Sequence, residues 1–208
     1  MHTLAMLSGM TDSSVRKQRI AQVLDAVGLE KVADRKVKQL SGGMVRRLGV
    51  AQALVHEPKV LIMDEPTVGL DPEERLRFRQ LMTDLSRDRI ILLSTHIVAD
   101  LGSGCSDLAL IDHGKLQFRG APSELVALAS NKVCEVAVAE TAEAEMSVRL
   151  EVVARTVKNG LITLRGVIKD GVVPAGARVV DDITLEEAYL AFMADRGRHV
   201  EELEMADN

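Results

Sequence analysis

The 208-residue chain carries 31 acidic against 26 basic residues, a net charge of −5 that gives no reason to expect nucleic-acid binding by bulk electrostatics. Its apolar content of 47% and charged content of 27% are those of an ordinary globular protein, long enough for one large domain or two small ones. The two cysteines, Cys105 and Cys134, fit no metal or disulfide spacing, and they suggest a reducing compartment.

Residues 11–28 predict an amphipathic helix, capped by Asp12 or Ser13, with Val15, Ile20, Val23, Leu24 and Val27 on one face and Gly28 at the stop. The N-terminus has no basic segment ahead of an apolar one, so no signal peptide is expected. After a charged connector, Ser41-Gly42-Gly43 opens a second helix on which Leu48, Ala51, Gln52 and Val55 recur, ending before Pro58. The run KVLIMDE is a continuous apolar strand with a polar end, the pattern of a parallel strand covered on both faces. In open α/β sheets the ligand chemistry lies at the carboxyl ends of such strands.

Asp71-Pro72-Glu73-Glu74 is a strong helix start, and Phe78, Leu81, Met82 and Leu85 mark the buried face behind it. A second buried strand, RIILL, runs into Ser94-Thr95-His96, with a short helix expected from Ile97. DLALIDHGKLQFRG predicts a hairpin and PSELVALA a closing helix. Near Ser130 the character changes. KVCEVAVA alternates like a half-exposed strand, and Asn159-Gly160 between two β-branched runs is a strong hairpin signal. Thr184-Leu185-Glu186-Glu187 is a capping box that opens a helix through Met193, and the tail from Asp195 is polar. The longest apolar runs, VLIM and IILL, are strand-sized, far short of the roughly 18–20 residues of a membrane span.

Three stretches carry chemistry. Ser41-Gly42-Gly43 at a helix start offers a hydroxyl and backbone N–H groups to an anion, although small residues also simply cap helices. Asp64 and Glu65 end a buried strand; one carboxylate can hold Mg²⁺ and the other can deprotonate a water, although acidic residues also serve as solvated strand ends. His96, alone more often a surface or core histidine, follows the second strand and so lies at the same sheet edge. The phosphate cradle G-x-x-x-x-G-K-[ST] occurs nowhere in the 208 residues: the one Gly-Lys pair, Gly114-Lys115, is followed by Leu116.

The order of these motifs, more than any one of them, carries a resemblance. The chain resembles an ATPase subunit of an ABC transporter, of the bacterial drug- and antibiotic-exporter type. Ser41-Gly42-Gly43 match the family's signature, Val60–Glu65 its Walker B strand, Val68–Asp71 its D-loop and His96 its switch histidine. STHIVAD, GKLQFRGAPSEL and TLEEAYLAFM add to the match. Met44 departs from the usual Gln or Glu, and the resemblance starts inside the helical subdomain, without the Walker A loop, the Q-loop or the aromatic adenine platform.

The resemblance implies an α/β fold: a partial P-loop NTPase (ABC-type) core with a helical subdomain and a small C-terminal α+β appendage. It implies three regions: 1–57 with the signature, 58–129 as the nucleotide-hydrolase core, and 130–208 as an accessory domain and tail. By the same likeness Glu65 is the candidate catalytic base and His96 the γ-phosphate sensor. Asp64 is the metal partner, while Ser41, Gly42, Gly43 and Asp71 bind or position nucleotide across a dimer. ATP and Mg²⁺ are the implied cofactors. A second ATPase subunit and transmembrane permease subunits are the implied partners, with no nucleic acid and no span of its own, at the cytoplasmic face of the cell membrane. Without a Walker A loop the chain alone is expected to be inactive. Two other readings stay open: the C-terminal lobe of an SMC-type chromosome ATPase, or a non-enzymatic remnant that dimerises with a complete ATPase subunit.

Overall fold

A computed structural model describes residues 1–7, 9–101, 104–158 and 160–197. The chain divides into two compact units, Met1–Gly104 and Cys105–Asn208.

In the first unit a short helix α1 (His2–Leu7), absent from the sequence reading, precedes α2 (Ser13–Ala26). Asp12 is the cap: its Oδ1 accepts from the N–H groups of Ser14 at 2.7 Å and Val15 at 3.1 Å. The Ser14 hydroxyl donates to the same oxygen at 2.6 Å, and it, with the two N–H groups, holds the Asp12 carboxyl below its ordinary value. Gly28 follows with φ +66°, the left-handed conformation that suits the residue after a helix end. Ile20, Val23, Leu24 and Val27 are buried as expected, but Val15 is not; one turn from the cap, it is 55% exposed. The charged connector forms two short 3-10 turns, Glu30–Val32 and Val37–Gln39.

Helix α3 (Gly42–Leu54) buries Gly43, Arg47, Val50, Ala51 and Leu54. Of the expected face, Ala51 and Val55 are buried and Leu48 packs against the core, but Gln52 points to solvent and Arg47 points inward. Arg47 is tolerated there because it is paired, as buried charges must be. Its Nη1 donates to the Val27 carbonyl at 3.0 Å and its Nη2 to Glu74 Oε1 at 3.3 Å.

Strands β1 (Val60–Asp64) and β2 (Ile90–Ser94) pair in parallel, Val60 opposite Ile90 through Asp64 opposite Ser94. Between them runs α4 (Pro72–Leu85), capped by Asp71, with Phe78 and Leu85 buried. The two strands are not covered on both faces. Leu61, Met63 and Ile91 enter the core with α2, α3 and Phe78. Side chains alternate along a strand, and Val60, Ile62, Ile90 and Leu92 stand 51, 70, 67 and 60% exposed. The helix expected from Ile97 is a single 3-10 turn, Val98–Asp100.

The second unit begins with the expected hairpin, β3 (Leu108–Asp112) and β4 (Lys115–Gly120), antiparallel. His113 and Gly114 both take positive φ at the tip, as a two-residue primed turn requires. Helix α5 (Pro122–Leu128) leads into β5 (Val133–Val138). A short helix α6 (Glu143–Arg149), not expected from the sequence, precedes β6 (Leu150–Lys158) and β7 (Leu161–Ile168). Of the expected Asn159-Gly160 turn, Gly160 has φ +75°, while Asn159 lies outside the described residues. With β8 (Arg178–Val179), a strand the sequence did not suggest, the four strands form an antiparallel sheet in the order β6-β7-β5-β8. Helix α7 (Leu185–Ala194) follows its capping box: Thr184 Oγ1 accepts from the Glu187 N–H at 3.2 Å, and Glu187 Oε2 accepts from the Thr184 N–H at 2.8 Å. The tail from Arg198 lies outside the described residues. Among the described residues no helix is long and apolar enough to cross a membrane.

Candidate nucleotide-processing site

The carboxyl ends of β1 and β2 bring Asp64, Glu65 and His96 together. Parallel pairing places Asp64 opposite Ser94, and the Ser94 hydroxyl donates to Asp64 Oδ1. The ladder continues one residue further, the Glu65 N–H donating to the Ser94 carbonyl at 3.1 Å. The His96 N–H donates to Glu65 Oε1 at 2.9 Å, and its Nδ1 lies 3.0 Å from the same oxygen. Glu65 Oε2 is buried and has no hydrogen-bond partner among the described residues. Such an atom carries a desolvation cost that a proton donor, a water or a cation would remove.

Glu65 also takes φ +43°, in the left-handed region where a residue with a side chain is strained. The strain turns the chain at the strand end, so that Glu65 leaves the period-two alternation and reaches the His96 segment. The turn is tied down beyond it: the hydroxyl of buried Thr67 donates to Asp100 Oδ2 at 2.5 Å. Sequence reasoning missed this pair. Both are polar residues beside recognised motifs, but a contact across 33 residues has no local signal.

Ser41, Gly42, Gly43 and Asp71 form a second group. The Ser41 hydroxyl caps α3, accepting from the Met44 N–H at 3.2 Å, and Asp71 caps α4, accepting from the Glu74 N–H at 2.8 Å. The two helix starts touch. A Cβ on Gly43 would lie 2.5 Å from Glu74 Oε2, so a side chain there would have to displace that carboxylate. Glu74 in turn pairs with Arg47, and the Arg46 guanidinium donates to the Val68 carbonyl at 3.3 Å. Arg46 and Arg47 were not singled out from the sequence. Arg47 could have been, since it stands four residues after Gly43 and four before Ala51, on the buried face.

A cleft of about 390 Å³ separates the flank of α3 from β1, with Arg46 and Asp64 among its lining residues. It reaches Asp64 of the first group and, at Arg46, the helix that Ser41 caps, and its walls are mainly apolar. Among the described residues no three His, Cys, Asp or Glu gather as a metal cage. A Mg²⁺ that works with a nucleotide needs no such cage, being held by one or two carboxylates and the phosphates themselves. Asp64, exposed at the strand end with the Ser94 hydroxyl on one of its oxygens, fits that chemistry as the single carboxylate.

The sequence profile described as ABC transporter matches residues 2–68. An uncharacterized ABC transporter ATP-binding protein of Bacillus subtilis is 34% identical over 153 residues, 74% of this chain and 52% of that relative. A Nod factor export ATP-binding protein I of Paraburkholderia xenovorans is 45% identical over 120 residues, 57% of this chain and 39% of its own. The chain thus spans about half the length, or less, of these curated relatives. Among solved structures, CbiO1 of Clostridium perfringens, described as part of the ABC transporter complex cbiONQ, superposes with a TM-score of 0.54 at 28% identity. That match covers 60% of this chain and 51% of the other, and it carries the P-loop NTPase fold. The profile and the relatives agree with the order of the motifs: this chain carries ABC transporter ATPase-domain sequence, homologous to the ABC ATP-binding proteins.

Proposed function

We propose that the chain serves as the ATP-binding and ATP-hydrolysing subunit of an ABC transporter, powering transport through membrane permease subunits from the cytoplasmic side. The observation that carries this reading is the junction of Asp64, Glu65 and His96, with one Glu65 oxygen buried and unpartnered. Glu65 Oε2 is the proton acceptor for the attacking water, and its other oxygen is held by the His96 segment, so the carboxylate has one orientation. Asp64, braced by Ser94, is the Mg²⁺ partner. Magnesium, when bound, neutralises phosphate charge. His96 turns its exposed ring toward the phosphate it senses.

Ser41, Gly42 and Gly43 belong to the other face of the reading. The first N–H groups of a helix have no partner within it; at α3 Ser41 takes that of Met44, and those of Gly42 and Gly43 are offered to the nucleotide of a second ATPase subunit. Asp71 and Val68, tied to the signature helix through Glu74 and Arg46, carry the state of one site to the other. The 208 residues contain no phosphate-wrapping loop, and we infer that the chain by itself neither holds ATP tightly nor turns it over.

The test joins the chain to a segment that carries the phosphate loop G-x-x-x-x-G-K-[ST] and measures phosphate release. Glu65→Gln keeps the size and the hydrogen bond from His96 but cannot take a proton. Hydrolysis should fall by about 10²–10⁴-fold while ATP binding persists. Parent-rate hydrolysis by the Gln variant would remove Glu65 as the base and the reading with it.

A further inference from the structure

The turn that carries Glu65 and the turn that carries His96 are held to each other by more than the sheet. Beyond the last strand pair, Leu70 N–H donates to the Thr67 carbonyl at 3.1 Å and Asp100 N–H to the Ile97 carbonyl at 2.9 Å, so each loop is internally closed. Ile97 N–H is taken by the Thr95 hydroxyl at 3.0 Å. The two closed loops are then joined by one side-chain bond, Thr67 Oγ1 to Asp100 Oδ2 at 2.5 Å, with Thr67 1% and Asp100 6% exposed. A further strut runs from α4, where Arg79 Nη1 donates to the Ala99 carbonyl at 2.9 Å.

Glu65, two residues before Thr67, sits at a positive φ that its side chain disfavours. A strained residue keeps such a conformation only where its surroundings over-determine it. On the β2 side its anchors are backbone bonds that solvent can reach: the Glu65 N–H to Ser94, and the His96 N–H to the Glu65 carboxylate. The Thr67–Asp100 bond is the buried one. A hydrogen bond to a charged acceptor is stronger than a neutral one, and it gains from the low dielectric of its surroundings.

We propose that Thr67 and Asp100 are positioning residues, a buried clasp that keeps Glu65 and His96 in register across the two strand ends. The functional meaning of the clasp rests on the catalytic reading of Glu65; its physical existence does not. Neither residue touches the reacting groups. Their effect passes through Glu65, whose strained turn relaxes when the clasp opens, releasing the His96 N–H.

Hydrogen exchange by mass spectrometry on the 208-residue chain, without nucleotide, tests the clasp. Thr67→Val removes the donor. Backbone exchange in peptides covering 64–66 and 95–97 should accelerate about tenfold, the effect of losing one buried charged hydrogen bond, while α3 keeps the parent rate. Thr67→Ser keeps the hydroxyl and should restore protection. Thr67→Val combined with Asp100→Leu leaves no carboxylate buried without a donor, so it tests the same loss where the single variant unfolds, and it should still exchange fast at both turns. Parent rates at the two turns in the Val variants overturn the proposal. So does a uniform acceleration across Met1–Gly104, or loss of the fold in both Val variants, since either makes the pair a general core contact. A failed Glu65→Gln test with the exchange pattern intact would leave the clasp standing and remove only its catalytic meaning.

Discussion

The two units solve the burial of a sheet in opposite ways. In Met1–Gly104 the sheet is a parallel pair whose members are 30 residues apart, joined by a helix. One face enters the core and the other leaves Ile62 and Ile90 70 and 67% exposed. In Cys105–Asn208 the central strands β5 and β7 are adjacent and antiparallel, and Val133, Val136, Leu164 and Val167 are all 3% exposed or less. Antiparallel strands close through hairpins and find their cover nearby in sequence. Parallel strands need crossovers and helices on both faces. The unit that holds the candidate catalytic residues is therefore the one whose sheet is less enclosed by its own elements.

The polar cores differ as well. The second unit gathers its inner charge around buried Glu187 and half-buried Arg165. The guanidinium donates to Glu187 Oε2 at 3.0 Å and to the Asp182 carbonyl at 2.6 Å, and it pairs with Glu135 at 3.2 Å. Burial alone would raise the Glu187 carboxyl. The bonds from Arg165 and from the Thr184 N–H and hydroxyl outweigh it and hold the group below its ordinary value. Glu187 pushes the Arg165 guanidinium upward in return. In the first unit the Arg47–Glu74 pair is spent on fastening the signature helix to α4.

The largest predicted effect sharpens this contrast. Arg165→Leu strands Glu187 in the interior and should cost about 3–5 kcal/mol, the usual penalty for breaking a buried ion pair from one side. Urea unfolding followed by the fluorescence of Tyr189, the one tyrosine of the chain and a residue of α7, reads the second unit by itself. The same group sets an acid limit. Because the folded pKa of Glu187 is depressed, its contribution is complete above the unfolded carboxylate value of about 4.3. It is lost as pH falls through the lower folded value. Glu187→Gln should flatten that dependence. An unchanged acid profile would move the proton uptake to another carboxylate.

A smaller effect is expected at the junction of the two helix starts. Gly43→Ala pushes a methyl against the Glu74 carboxylate, and overpacking of this kind costs about 1–3 kcal/mol. The cost should fall on the first unit, so thermal unfolding by circular dichroism should lose stability without moving the Tyr189 transition. Equal loss in both readouts would mean that the units do not unfold separately, and the comparison between them would break.

The smallest effect on folding comes from the bare face. Ile62→Thr with Leu92→Thr puts a β-branched side chain at both strand positions and removes exposed apolar area. Stability should change little, whereas binding of a hydrophobic dye and aggregation on standing should both drop, since exposed apolar faces and edges drive association. Dye binding equal to that of the parent would place the sticky surface elsewhere.

By itself the sequence determined the elements whose signals are local. Asp12, Asp71 and the Thr184–Glu187 box announce their helices because a cap acts within one turn. His113-Gly114 announces its hairpin because the turn needs positive φ at two adjacent positions. The juxtaposition of Asp64, Glu65 and His96 was also legible, since strands of a parallel pair end on the same side. Other features were not. Helix α6 and strand β8 are too short to carry a period, and they form because a neighbouring sheet accepts them. The inward turn of Arg47 and the exposure of Val15 and Gln52 were decided by what the other helices offered. Arg47 finds the Val27 carbonyl and Glu74, while Gln52 finds only solvent. The Thr67–Asp100 clasp and the left-handed turn at Glu65 exist only once two strands lie side by side, because a hydrogen bond between residues 33 positions apart leaves no trace in either neighbourhood.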